Sequence, residues 1–265
     1  MHHTIKKQLE KIEKQEKKYL QPKQEKGIQK KTKEVSAILE QKIPLKVREA
    51  IENAFYKGFF VLFEKGTSVI EKTYDKEKIV WEYQFQDYRF TEKGKRKQFK
   101  KLEKNANHGN YINLATTATE GAVLGLLGIG LPDIPLFLGI LLKGIYETCL
   151  HYGFDYSDKR EQIYILRLIR SAMAEEKIEL DALVEKTAED IAKGIAVPYD
   201  FQEEVKQTAQ MFSNAMLVAK LIQGIPLVGV MGSGYNVMVY HKILKYCNRK
   251  YKKRYLKKFS PECIK

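Results

Sequence analysis

Five polar side chains stand beside long apolar runs in this chain of 265 residues: Glu120, Asp133, Glu147, Asp155 and Asn236. Polar groups withdrawn from water need partners, and a carboxyl held in an apolar cleft is pushed toward the pKa range of a general acid or base. Two readings are open at this level. In one, the five side chains form a buried hydrogen-bond network. In the other, Asp133 or Glu147, in a cleft lined by apolar helices, serves a hydrolase-type reaction. No nucleophile signature accompanies them, since the chain has neither Gly-x-Ser-x-Gly nor His-Glu-x-x-His. Cys149 and His151 are two residues apart on an expected helix, so they point to different faces and make no dyad. The five histidines and three cysteines lack metal-ligand spacing, so no metal and no other cofactor is expected. The odd cysteine count without a Cys-x-x-Cys pair fits a reducing compartment.

The element that must position Asp133 and Glu147 is the stretch GLLGIGLPDIPLFLGILLKGIYETCLHYGFDYSD, residues 125–158. Gly121 to Leu142 is 22 residues long with one charge, Asp133, and is long enough to span a bilayer. Two prolines argue otherwise. Each removes a backbone donor, and in lipid the freed carbonyls would lack partners. In a globular fold the same residues are simple to place: Gly130 closes one helix, Pro132 turns the chain, Asp133 caps the next helix, and Pro135 falls in its first turn, where a missing donor costs nothing. The pattern predicts a buried helical hairpin. A second apolar unit repeats the tactic, with Pro226 separating residues 203–224 from 227–259 and glycines at 224, 229, 232 and 234 permitting close helix approach. Its Gly-Ser-Gly lacks the Lys-Ser/Thr of a phosphate loop and follows no strand, which excludes nucleotide binding of that type.

The remaining elements read as helices. Residues 4–20 have a sparse apolar stripe amid Lys, Glu and Gln, the pattern of a solvated helix or a short amphipathic arm. The segment after Pro44 has helical periodicity. Ile79 to Phe90 alternates briefly like a strand, but no second strand is available to pair with it, so it is read as helix. The formal charge of +14 is uneven: residues 1–35 and 89–104 each carry +6, and residues 242–258 carry nine basic and no acidic side chains. In the last run Tyr240, Leu244, Cys247, Tyr251 and Tyr255 form one stripe, while Lys245, Arg249, Lys250, Lys252 and Lys253 fill the other arc, with Arg254, Lys257 and Lys258 following. That is the pattern of an interfacial helix and predicts an anionic-surface contact, or else a core helix with a lysine-rich outer face. No recognised nucleic-acid motif is present, and nucleic acid is not the expected partner.

Three segments together carry a family resemblance: TEGAVLGLLGIGLPDIP (119–135), GIYETCLHYGFDYSD (144–158) and IPLVGVMGSGYNVMVYHKILKYCNRKYKKRYL (225–256). They resemble the EcsC family over about residues 35–260. The matching positions are Pro132 and Asp133, Glu147, the Tyr152-Gly153-x-Asp155 turn, and Pro226, Gly229 and Asn236; Ser233 to Tyr235 depart from the family pattern and reshape that turn. The resemblance implies a bacterial protein working near the membrane beside an ABC transporter, and it brings no reaction with it.

The expectations are therefore these. The fold is all-α, one multi-helix domain with two proline-broken apolar hairpins packed together. Residues 1–34 form a basic, loosely attached helical arm, residues 35–260 the helical domain, and 261–265 a tail. The protein is expected in the cytoplasm, peripheral to the inner face of the cell membrane, with an anionic membrane surface or an ABC-transporter component as partner.

Overall fold

The computed structural model describes residues 1–21, 43–116, 133–174, 176–197, 199–223 and 234–259, without the side chains at 107–116, 133, 219–223 and 234–236. Glu120, Pro132, Pro226 and Gly229, and the side chains of Asp133 and Asn236, lie outside that description, as does the turn of each proline-broken unit.

The described residues are helical, with no strand among them. In chain order the helices are α1 (His2–Leu20), α2 (Leu45–Val61), α3 (Thr67–Glu71), α4 (Lys76–Lys93), α5 (Arg96–Thr116), α6 (Asp133–His151), α7 (Lys159–Met173), α8 (Ile178–Ala192), α9 (Phe201–Gln223) and α10 (Gly234–Lys257). A π-helical turn, Leu62–Gly66, joins α2 to α3. Asp75 opens α4 by accepting from the Lys78 amide at 2.9 Å, and Asp158 opens α7 by accepting from the Arg160 amide at 2.8 Å. Each carboxylate satisfies a donor that the first helical turn leaves free.

Two helices organise the interior. The first, α6, packs against α2, α4, α5 and α10, and the second, α10, against α1, α5, α6 and α7. They meet where the middle and late apolar segments were expected to join. At Gly144 of α6 a Cβ would come within 2.7 Å of the Tyr240 hydroxyl and 2.9 Å of Leu244 on α10, so a side chain there would have to push those two tips aside. The expected stripe of α10 is inside: Tyr240, Leu244, Cys247, Tyr251 and Tyr255 are all buried. The aromatic stripe of α2 closes the other side, with the Phe55 and Phe59 rings 5.4 and 5.6 Å from Phe212 of α9.

Asp133 and Pro135 are the first and third described residues of α6; the residues before them, and with them the expected cap and first-turn placement, lie outside the described residues. The window Ile134–His151 is long and apolar enough to cross a membrane, but 89% of it is buried inside the fold.

The N-terminal segment differs from expectation. Instead of a loosely attached arm, α1 docks on α10. Ile5 and Ile12 are buried, the Thr4 hydroxyl donates to the Gly94 carbonyl at 3.2 Å, and the Tyr19 hydroxyl donates to the Ser171 carbonyl at 3.1 Å. The apolar stripe of α1 is sparse, but polar side chains extend its contact, since Gln8 and Glu16 are buried too. Neither has a hydrophobic signature.

Candidate functional site

The basic run of α10 turns inward. Lys250 is 1% exposed, and its Nζ lies 2.8 Å from Glu16, 2.8 Å from Asp181 and 2.6 Å from Glu185. Lys253 shares two of these partners, at 2.6 Å from Glu16 and 3.0 Å from Glu185. The Tyr246 hydroxyl adds a donor to Asp181 at 2.6 Å. Lys252 pairs with Glu103 of α5 at 2.8 Å. Arg254 grips Glu161 of α7 with two nitrogens, at 2.6 and 3.0 Å, and the Tyr251 hydroxyl donates to the same carboxylate at 2.8 Å. The Arg249 guanidinium lies 4.5 Å from the Tyr19 ring centroid and 5.3 Å from that of Tyr246.

This corrects the expectation of an outward arc. A helix with neighbours on several sides has no single outer face, so its charges are matched by carboxylates on α1, α5, α7 and α8. Lys245 is exposed and Lys257 is half-buried, 3.7 Å from Glu185. Lys258 lies over the Phe154 ring at 4.2 Å. The electrostatics follow the packing. Burial alone would raise the Glu185 carboxyl, but Lys250 and Lys253 outweigh it and bring the pKa down to about 2. Burial lowers Lys252 more than Glu103 restores it, whereas the carboxylates around Lys253 overcome burial and raise it.

The family turn Tyr-Gly-Phe-Asp is a helix stop. Gly153 has φ +72°, the Gly153 amide donates to the Leu150 carbonyl at 2.9 Å, and the Phe154 amide donates to the Cys149 carbonyl at 3.1 Å. This pair of bonds is the Schellman arrangement that ends a helix with a left-handed residue. An added Cβ at Gly153 would fall 2.0 Å from the Tyr83 ring. Tyr152 donates to Asn248 at 3.0 Å, and Asp155 accepts from the Ser157 amide and hydroxyl at 2.9 and 2.7 Å. Each side chain has a structural task.

The paired-carboxylate reading meets a geometric obstacle. Asp133 and Glu147 belong to one continuous helix and are fourteen residues apart. At 1.5 Å of rise per residue that is about 21 Å, too far for both to act on one reacting group. Glu147 is buried near the C-terminal half of α6. Lys143, one turn earlier, is buried as well, and its Nζ donates to the Thr73 carbonyl at 2.8 Å. Beside them, Glu71 accepts from Lys76 and from the Tyr156 hydroxyl, both at 2.6 Å, and the Tyr74 and Tyr156 hydroxyls are 2.7 Å apart. Burial pushes both phenols well up, so they stay protonated. Burial also raises the thiols of Cys149 and Cys247, and it lowers His151 to about 4, which leaves a neutral imidazole near pH 7. Among the described residues no group of three His, Cys, Asp or Glu side chains could hold a metal ion.

The other strongly basic region behaves differently. From Lys93 to Lys104 seven lysines and arginines are exposed across the turn between α4 and α5. Among the described residues none of the seven meets a carboxylate at salt-bridge distance. The one acidic residue in this run, Glu103, is taken by Lys252, and Glu92 stands just before it. On the outer side of α4, Trp81, Phe85 and Tyr88 are 63%, 42% and 66% exposed. Sequence reasoning missed this second stripe because Ile79, Tyr83 and Phe90 supply an inner one, and aromatics on two sides of a helix mimic strand alternation. The signal that could have found it is the spacing 81, 85, 88.

The family model described as the EcsC protein family matches residues 6–256. A Bacillus subtilis (strain 168) protein, "Uncharacterized protein YdbA", is 27% identical over 151 residues, which cover 55% of this chain and 54% of that protein, so the chain spans about half the length of this curated relative. No solved structure matches. The family match begins inside α1 and ends near the last turn of α10, and so takes in the docked N-terminal helix together with the carboxylate–lysine cluster it completes; this chain belongs to the EcsC protein family.

Proposed function

We propose that this protein is a non-enzymatic, membrane-peripheral accessory protein that rests on an anionic bilayer surface and serves beside an ABC transporter or secretion process. The observation that carries the reading is the basic turn between α4 and α5, where seven exposed cations are left without carboxylate partners among the described residues while the cations of α10 are largely consumed inside the fold. Each such residue near an anionic leaflet contributes about 1 kcal/mol, so a cluster of this size supports reversible surface binding. The transporter link comes from the family resemblance. The rival reading is a hydrolase using Asp133 or Glu147 in an apolar helical cleft; the length of α6 between the two opposes only a version in which both act together. Sedimentation with phosphatidylglycerol-containing vesicles at low and high salt tests the proposal. The expected result is binding that weakens steeply as salt rises. Absence of binding at low salt, or binding indifferent to salt, sinks it.

A further inference from the structure

We infer that the outer stripe of α4, Trp81, Phe85 and Tyr88, is the part of the molecule that enters the bilayer interface. This inference rests on the membrane-peripheral reading and adds to it an orientation and an inserted element.

The three side chains step by four and three residues and so share one side of α4. Among the described residues other exposed large hydrophobics occur, including Leu45, Ile178 and Met238, but α4 is the described helix that carries three of them at successive turn spacing. Such a stripe left in water is unfavourable, and monomeric proteins seldom keep one without use. The inner side of the same helix is fixed to the core: Phe90 is fully buried, Tyr83 packs against the Tyr255 ring at 6.3 Å, and Asp87 accepts from the Tyr255 hydroxyl at 2.7 Å. The outer stripe is therefore held in place, and turning it inward would break these contacts.

The chemistry of the stripe selects an occupant. Trp and Tyr combine an apolar ring with a polar tip, which suits the headgroup level of a bilayer, and Phe suits the acyl boundary. Exposed Glu77 and Glu92 flank the stripe one turn away on either side, but the seven exposed cations from Lys93 to Lys104 outnumber them, so the net charge beside it is complementary to anionic lipid. A single-stranded nucleic acid is the other anion that aromatic side chains recognise, by stacking on open ring faces. Here the Trp81 and Phe85 rings lie nearly parallel at 5.4 Å, and the Arg89 guanidinium sits 5.3 Å from the Phe85 centroid. The Trp81 and Phe85 rings cover each other's facing sides and Arg89 lies over Phe85, which leaves less open ring face for a base to stack on. The geometry fits a lipid interface better than a base.

Trp81 is the single tryptophan of the chain, so its emission reports on this stripe alone. Addition of phosphatidylglycerol vesicles is expected to shift the emission to the blue, and lipids brominated near the top of the acyl chain are expected to quench it. The double variant Phe85→Ala/Tyr88→Ala keeps the reporter. It is expected to bind the same vesicles about ten-fold more weakly, with an unchanged far-ultraviolet circular dichroism spectrum and thermal midpoint. If the protein sediments with the vesicles but Trp81 neither shifts nor is quenched, the stripe is not the inserted element, and the membrane-peripheral reading stands without it. If nothing sediments, both readings fall. If the emission responds to a single-stranded oligonucleotide and not to vesicles, the stripe is a base-stacking surface and this inference is overturned.

Discussion

Residues 89–104 and 242–258 look alike on paper, the first with eight basic side chains against two acidic, the second with nine against none. In the fold they part. The first run turns a corner between α4 and α5 and leaves seven of its eight cations exposed. The second lies on α10, and Lys250, Lys252, Lys253 and Arg254 each end on a carboxylate from another helix. The local charge is greater in the run that is neutralised. What decides the outcome is the number of neighbours a helix has, because a charge taken from water is tolerable only when the opposing helix supplies its partner. Charge counted along a sequence therefore says little about charge displayed on a surface.

The sharpest way to break this comparison is to remove one cation from each run. Lys250→Met would leave Glu16, Asp181 and Glu185 gathered without their shared amine. The expected loss is about 3–5 kcal/mol in urea unfolding, the cost of orphaning buried charges. A loss below about 1 kcal/mol would mean that the cluster is open to water. Next in size is the reversal Lys95→Glu/Lys97→Glu/Lys100→Glu. It is expected to lower affinity for anionic vesicles at least 100-fold, from about 1 kcal/mol per basic residue, without lowering stability by a comparable amount. Comparable losses of binding and folding would mean that this corner, too, is structural.

A third test uses acid. The Glu185 carboxyl is held near 2, below its ordinary 4.5, by Lys250 and Lys253 acting against burial. A depressed carboxylate stabilises the fold above about pH 4.5, and that contribution drains away as pH falls toward 2. His151, lowered by burial from 6.5 to about 4, acts earlier. Between those values the unfolded chain takes up the proton and the folded one does not, so stability drops as pH falls through that window. The thermal midpoint should decline from pH 6.5 downward, and His151→Gln should flatten the part of the curve above pH 4. An unchanged slope in that variant would place the early acid sensitivity elsewhere. The smallest expected effect is Lys97→Met, within about 0.5 kcal/mol of the parent in urea unfolding, as befits an exposed position.

Much of the frame was readable from residue order. The buried stripe from Tyr240 to Tyr255 and the all-helical class follow from spacing and periodicity. The separation of Asp133 from Glu147 was readable as well, since helix rise alone fixes it once both are placed on one helix. The partners of α10 were not. Lys253 meets Glu16 across 237 residues and Lys250 meets Glu185 across 65, and nothing local in either segment specifies the pairing. The docking of α1 escaped for the same reason, because its contact is made partly by Gln8 and Glu16, which read as solvent-facing. The outer stripe of α4 was hidden by the inner one.

The position of α10 has a consequence for how the chain is made. The helix that touches α1, α5, α6 and α7 comes late in the order of synthesis, so the first helix has no Lys250 or Lys253 to hold Glu16 until nearly all of the described chain has been translated. Until then α6, the most apolar of the long segments, lacks the surface that Tyr240 and Leu244 provide at Gly144. Contacts so distant along the chain close slowly and leave unfinished, sticky intermediates on the ribosome. A nascent chain stopped before residue 234 should depend on chaperones far more than the finished one.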